Sequence, residues 1–596
     1  MKSVEYTREE VLQRMLRTAA SVWGLPTARL EAMDPLVRIL LGAVSLEVER
    51  IGHAMHEADA RIFDKITRYL LPEVMVGVEP GHAVVKLDPL EVQVITRYDE
   101  MVFEQVSRRK ENMNRVETRE FSFSSAGDVP MSAKPLVARI VGSEIGLLQG
   151  LDHRALNQLP GNWDDRTIHL GFRGRLIAGD TVHLYFDWPA GPVRERDLLS
   201  LPRTRVMDLQ GRALEQEVGL RGAVENVLTA GNNEAALMED RVRALYAPNF
   251  MHVHIPFDLG INAPEGAVEA LLGAGVKEAS DLSWIKLELP PDADPASMQQ
   301  VTVLDNCAPV INRKLVKVIL RLQQELNIKL LDHEGAFIGM EKVENGHAQD
   351  YTRVPTADQV ESIPGSYSIR QEATGRFDER DAALLLKHVL DEVREEKQAF
   401  TAMDVTSTAA DLRVIEQSIE RIERRMSGQS ITADRTYLSM RPFTARETAH
   451  VHYWSCDGEA SNAIARSGQL QCKNPGTSYN GVARFVTKVK GAREGRSLKE
   501  RIQQYRSIVL GRGRIVTRRD IVEHCRVLCG DRLQDVAVRE GVMMSPSPMQ
   551  GLVRCLDVEL KFDPGLKDLE EIGYLRERVR TDLDRVSSLS MPLRIL

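Results

Sequence analysis

Cys307, His252 with His254, His450 with His452, and the group His524, Cys525 and Cys529 are the residues whose type and spacing could carry chemistry in this 596-residue chain. A cysteine nucleophile needs a histidine base and a group to orient it, and a buried cysteine otherwise behaves as a small hydrophobe. Each His-x-His pair sets two imidazoles on one face of a strand, a spacing that zinc and iron sites use. No further Glu or His stands at a telling offset, so neither pair completes a ligand set in sequence. Cys525 and Cys529 lie one helical turn apart on the face of Leu528, where core packing outweighs zinc. No Gly-x-x-x-x-Gly-Lys-Ser/Thr, Gly-x-Gly-x-x-Gly, His-Glu-x-x-His or Gly-x-Ser-x-Gly motif is present. Gly511-Arg512-Gly513-Arg514 leads into a strand and reads as a turn, not a phosphate loop opening a helix. The expectation is a non-enzymatic protein with no catalytic residue, cofactor or metal.

The elements that position these residues follow from the hydrophobic period. Residues 7 to 71 read as long amphipathic helices. Thr7-Arg8-Glu9-Glu10 has capping-box form and Asp34-Pro35 is a second start signal. Leu36, Leu40, Val44, Val48 and Ile51 continue one apolar stripe that needs another helix to cover it, in this chain or a partner. Ten basic and ten acidic residues up to Leu71 balance, which excludes a basic membrane-surface helix.

From His82 the pattern turns to short strands: Ala83 to Leu87, Val92 to Thr96, Leu136 to Val141, Thr167 to Phe172, Thr181 to Phe186, Phe250 to Ile255, Trp284 to Leu289, and Val301 to Leu315. In the last, Pro309 belongs at an edge or bulge, with Asn306 and Asn312 bonding the main-chain groups that this break leaves unpaired. Residues 191 to 239 are irregular. A polar region surrounds Asp332 to Ser368, and a helical hairpin follows over Asp378 to Phe400 and Ala409 to Met426. Residues 445 to 490 return to strands, with His450, His452, Trp454 and Cys456 on one face. The C-terminus reads as β-α-β-β-α-β. It runs from a strand at Arg514 to Val516, through a helix capped by Thr517 and Asp520, to a closing strand in 592 to 596.

The fold expected is therefore α+β multidomain. It has an N-terminal helical bundle segment (1–75), a β-sandwich-like middle (76–330), a polar loop region and helical hairpin (331–430), a β-rich segment (431–495) and a ferredoxin-like module (496–596).

Composition agrees with an ordinary globular protein: 43% hydrophobic, 28% charged, net charge −8. The start has no apolar signal region and no apolar run spans a bilayer, so neither a signal peptide nor a membrane span is expected. Six scattered cysteines fit a reducing cytoplasm. One charge contrast stands out: Lys488 to Arg519 holds eleven basic residues, among them Arg512, Arg514, Arg518 and Arg519, against two acidic ones. Only Tyr505 interleaves, so docking to an acidic protein patch, or a solvated face, suits the cluster better than nucleic acid.

Val301-Thr-Val-Leu-Asp-Asn-Cys-Ala-Pro-Val-Ile-Asn-Arg-Lys-Leu315 resembles the Asn-Cys-x-Pro-Val-Val/Ile-Asn segment of TssF, a baseplate subunit of bacterial type VI secretion systems. Asp34-Pro-Leu-Val-Arg-Ile-Leu-Leu-Gly-Ala-Val44 is similar to that family's Asp-Pro-x-Val-x-x-Leu-Leu helix. Leu70-Leu-Pro72, Pro80 and Ala83-Val-Val85 resemble its passage into the first strand. Gly513-Arg-Ile-Val-Thr-Arg-Arg-Asp-Ile521 looks like the module shared with baseplate proteins of contractile phages. The chain departs at Tyr6 to Leu12, where the family has an aromatic and Glu-Leu opening, and over 316 to 445.

The resemblance implies a structural wedge subunit, cytoplasmic and docked at the inner membrane through the secretion machine. It implies as partners TssG, a second copy of the chain, TssK and TssE, around a VgrG hub. Leu36, Leu40, Val44, Val48 and Ile51 would then form a bundle interface, and Arg512, Arg514, Arg518 and Arg519 contacts between wedges. Two other readings of the residues are a baseplate protein of another contractile machine and a metal-dependent hydrolase using one His-x-His pair. A carbohydrate- or protein-binding β-sandwich fits the helices and the C-terminal module poorly.

Overall fold

A computed structural model describes residues 8–22, part of 41–51, 78–108, 116–188 except 162, and 198–220 except 199. It further describes 234–323 except 292, 327–331, 335–371 except 355 and 356, 436–473, 483–494, 514–545, 551–588 except 567, and 591–596. The chain is mixed α+β and rich in strands. The predicted helical hairpin of 378–426 lies outside the described residues, as do Leu36, Leu40 and Asp34-Pro35.

Strand His82–Lys86 is buried along its whole length because it belongs to a closed six-stranded barrel. Its neighbours are Cys307–Asn312, in register His82 to Ile311 through Lys86 to Cys307, and Ala483–Phe485, with Val85 opposite Phe485. Val116–Ser125, Glu100–Arg108 and Gln469–Cys472 close the ring. Closure removes the exposed edges that an open sheet must otherwise protect. Alternation then sorts the side chains. Ala83, Val85, Ala308, Val310, Phe121, Phe123 and Phe485 fill the interior, while Val84, Cys307 and Ile311 face outward into a second core with helix Glu234–Tyr246 and the C-terminal module.

Two further sheets share one core. The four strands Glu215–Val218, Phe250–His254, Thr181–Asp187 and Thr302–Asp305 pack on six, Arg205–Asp208, Leu282–Glu288, Thr167–Arg173, Leu136–Val141, Glu144–Gln149 and Asp152–Gln158. Thr302–Asp305 and Cys307–Asn312 are thus consecutive strands in different sheets. The residue between them, Asn306, makes the switch with φ +50, a left-handed conformation in which Asn is one of the few tolerated side chains.

Two predicted features are corrected, and a stretch read only as irregular gains its elements. Pro309 is not at an edge or bulge: it sits mid-strand in the barrel opposite Val84, and on its other side its carbonyl accepts from the Ala126 amide at 2.9 Å, while the Ala126 carbonyl, which a proline cannot serve, accepts from Arg243 Nη1 at 3.1 Å. The polar region of 332 to 368 contains strand Ala336–Asn345, whose polar Lys342 and Glu344 alternate with buried Met340 and Val343. This strand forms a three-stranded sheet with Lys314–Arg321 and Thr448–Cys456, which packs on a four-stranded sheet of Asn327–Leu331, Thr436–Arg441, Ser366–Gln371 and Thr352–Arg353. Residues 191 to 239 contain two strands and the start of helix Glu234–Tyr246, which ordinary period analysis misses because Glu239 and Arg243 interrupt its buried face.

The C-terminal elements follow in the predicted order but do not build a four-stranded ferredoxin-like sheet among the described residues. Leu533–Met544, Leu552–Phe562 and Leu593–Ile595 pair in that order, the last two in parallel. The predicted first strand contributes a single bridge, Ile515 to Ser587, with Arg514 and Val516 exposed on either side. Thr517 and Asp520 do form the reciprocal capping box of helix Arg518–Cys529. Helix Leu569–Val586 buries Leu575, Val579 and Leu583 as its spacing requires, but leaves Leu569 exposed.

Candidate functional site

The chain leaves the barrel at Asn312 and enters the outer three-stranded sheet at Lys314, with no linker between. The polar side chains around this passage each tie a different part of the molecule. The Asp305 carboxylate accepts from the Leu136 amide at 2.9 Å and faces Lys86 Nζ at 3.2 Å. Burial alone would lower the Lys86 pKa; Asp305 and Asp88 outweigh it and raise it. Asn306 accepts from the Ser132 amide and donates to the Ser132 carbonyl, both at 2.8 Å. Asn312 donates to the Ser122 carbonyl at 3.0 Å and to Asp457 at 2.9 Å, and accepts from the Asp457 amide at 3.0 Å. Both asparagines bond main-chain groups as expected, yet those groups belong to neighbouring segments and not to the strand that carries Pro309.

Arg313 is the centre. Its side chain is 1% exposed. One guanidinium nitrogen meets Glu239 of helix Glu234–Tyr246 at 2.6 Å, Nε donates to Ser124 Oγ at 2.6 Å, Nη2 donates to the Ser125 carbonyl at 2.9 Å, and the group lies 4.1 Å over the Trp454 ring. Burial lowers the Arg313 pKa and Glu239 opposes that. Glu239 also faces Arg97 at 3.3 Å. Arg97 reaches on to Glu341 at 2.9 Å, and Glu341 accepts from Trp454 Nε1 and the Tyr98 hydroxyl, each at 2.8 Å. An arginine serves here because its planar fork can meet a carboxylate, a hydroxyl and a carbonyl at once while stacking on an indole. The network locks barrel, helix and outer sheet together. A cavity of about 390 Å³ beside it is lined by Arg97, Tyr98, Lys317, Lys342, His452 and Trp454 among others.

Removing the Asn306 side chain tests the switch between sheets. Asn306→Ala is expected to cost about 2–4 kcal/mol, from two lost buried bonds and a strained left-handed backbone. Asn306→Gly, which relieves the strain alone, should cost about 1 kcal/mol less. Urea unfolding of both variants measures the difference.

The predicted chemical residues are dispersed. Cys307 is 1% exposed, faces Asp305 across a 3.4 Å contact to its carbonyl, and burial pushes its thiol well up, a setting that disfavours the thiolate a nucleophile needs. His252 is buried with its Nδ1 at 2.5 Å from Nδ1 of His183 on the next strand, and His254 meets Thr181 Oγ1 at 2.9 Å. His450 and His452 lie on the open face of the outer sheet, opposite Ile319 and Lys317 on one side and Glu344 and Lys342 on the other. Burial and Lys317 together hold His452 below its ordinary range. Cys525 and Cys529 are packed in the C-terminal core, and burial pushes their thiols up to about 12 and about 11. Among the described residues no three His, Cys, Asp or Glu side chains are placed to hold one metal ion.

Of the predicted partner contacts, Val44 is 48% and Ile51 58% exposed on a helical segment, with Val48 half-buried between them. Arg514, Arg518 and Arg519 are exposed, and Arg518 pairs with Glu540 at 2.5 Å; Arg512 lies outside the described residues. Period analysis misses Glu239, Glu341, Arg97 and Trp454 as a set. The one local signal is a charged pair, Glu239 and Arg243, on an otherwise apolar helix face with Met238, Val242 and Tyr246. No described helix is long and apolar enough to cross a membrane.

No family model and no curated protein sequence matches the chain. Among solved structures, the chain is similar to one in the type VI secretion system TssK-TssF-TssG baseplate subcomplex seen by cryo-electron microscopy. That match has 12% identity and a TM-score of 0.42, and covers 94% of this chain and 96% of that one. A chain in the baseplate complex from the type VI secretion system matches at 13% identity and a TM-score of 0.33, over 98% and 96% of the two chains. Both likenesses run nearly end to end, but neither is close enough in identity or in backbone to establish a function.

Proposed function

We propose that this protein is a structural wedge subunit of a type VI secretion baseplate, joining TssG, TssK, TssE and a second copy of itself around a VgrG hub. The observation that carries the reading is the use made of its family-like segment. Asn306, Asn312 and Arg313, the polar residues of the stretch that resembles TssF, are buried and hold three parts of the molecule rigid. Cys307, the residue there that could react, is sealed off. Such a site suits a part that transmits force, not one that turns over a substrate.

The exposed Val44 and Ile51 are the contact to the TssG-like partner or the second copy, continuing the stripe of Leu36, Leu40 and Val48. Arg512, Arg514, Arg518 and Arg519 make contacts between wedges. The experiment is co-purification with a TssG-like protein encoded nearby. Val44→Asp with Ile51→Asp should cut recovery of the partner at least about tenfold, because two charges enter an apolar interface. Stability should change by less than about 0.5 kcal/mol per site, as expected for exposed positions. Undiminished recovery would remove this surface from the interface. A chain that purifies with no such partner would overturn the proposed function.

A further inference from the structure

Strand Lys314–Arg321 forms one edge of the outer three-stranded sheet, pairing along all eight residues with Thr448–Cys456 on a single side. Among the described residues no strand pairs with its second side, whose main-chain donors and acceptors are the template that edge strands offer. Among the described residues the side chains leave the sheet uncovered there. On the core face, Ala449, Val451 and Tyr453 of the middle strand are 0% exposed, while Val316, Val318 and Leu320 of the edge strand are only half-buried. On the outer face, Ile319 is 64% exposed between Lys317 and Arg321, both exposed.

We propose that this edge receives an added strand from a partner protein, an extended segment with aliphatic residues on one face and acidic residues on the other. The aliphatic face would complete the core over Val316, Val318 and Leu320. Carboxylates opposite Lys317 and Arg321 would flank an apolar residue opposite Ile319, since cross-strand neighbours of opposite charge stabilise a pair and like charges oppose it. The same rule opposes a second copy pairing edge to edge about Lys317 or Ile319, where Lys317 would meet Lys317 or Arg321.

The test uses the full chain and a labelled nine-residue peptide, Glu-Val-Glu-Val-Val-Val-Glu-Val-Glu, with a control that has Lys for every Glu. The acidic peptide is expected to bind saturably and to slow amide hydrogen exchange within 314–321; the basic one is not. Lys317→Glu with Arg321→Glu should weaken the acidic peptide about tenfold and admit the basic one, as two reversed cross-strand pairs imply. Any one of three results overturns the proposal: no saturable binding of the acidic peptide, protection outside 314–321, or affinity unchanged by the double reversal. The exchange measurement on the unaltered protein decides the matter even where the double variant folds poorly.

Discussion

Replacing Arg313 with Met should destabilise the protein by about 3–5 kcal/mol, the range for removing one partner from a buried ion pair. The reason lies in what remains. Glu239, itself 7% exposed, would lose its 2.6 Å partner and keep Arg97 at 3.3 Å with Arg243 one turn along its own helix, and Ser124 Oγ and the Ser125 carbonyl would lose their donor. Methionine fills part of the space over the Trp454 ring but donates nothing. Adding Glu239→Gln should recover part of the loss, because it removes the stranded carboxylate while keeping the shape. Urea unfolding of the wild type, both single variants and the double variant gives the coupling directly. A loss below about 1 kcal/mol for Arg313→Met would mean that the network does not hold barrel, helix and outer sheet together.

Acid should act nearly as strongly, and the sign follows from three histidines. Burial, helped by Lys490 and Arg578, holds His82 down at about 3 from its ordinary 6.5. Burial and Arg139 hold His153 at about 3, and burial and Lys286 hold His169 at about 4. Each is kept neutral chiefly by burial, which at His153 outweighs its bond to the Val303 carbonyl. His82 lies between the hydroxyls of Tyr246 at 3.0 Å and Tyr574 at 3.2 Å, His153 Nε2 meets the Val303 carbonyl at 2.8 Å, and His169 stands edge-on to Trp163.

Below pH 6.5 the unfolded chain binds protons that the folded chain refuses. The stabilisation is therefore complete above about 6.5 and is lost as pH falls towards about 4 for His169 and about 3 for His82 and His153, by at most about 1.4 kcal/mol per pH unit for each histidine. Urea midpoints should fall steeply between pH 6.5 and 4.5, before most carboxylates titrate. A flat profile over that window would show that these imidazoles protonate in the folded protein.

What is legible in the sequence is what repeats locally. Short β-branched runs such as Leu136 to Val141 and Thr181 to Phe186 declare a strand by themselves, and Thr517 with Asp520 declares a helix start. The hidden parts depend on distant pairing. Glu100–Arg108 and Val116–Ser125 give no clear strand period because Glu, Arg and Ser interrupt them, and the barrel ladder supplies what their propensity does not. The Arg313 network draws on residues 97, 239, 341 and 454, which no local window contains. Alternation alone puts His450 and His452 on one strand face, but the lysines that border them come from strands on either side.

The closed barrel also sets a timetable for synthesis. Strand His82–Lys86 needs Ala483–Phe485 on one side and Cys307–Asn312 on the other, and Val85 meets Phe485 across 400 residues of chain. At ribosomal rates of about 5–20 residues per second, the first strand waits roughly 20 to 80 s for its last neighbour. Throughout that interval Ala83, Val84 and Val85, all 0% exposed at the end, have no complete ladder to occupy. Contacts of such long range make folding slow. Newly made chains should therefore depend on a holding chaperone until residue 485 has emerged, and truncation anywhere before it should yield aggregates instead of a smaller folded piece.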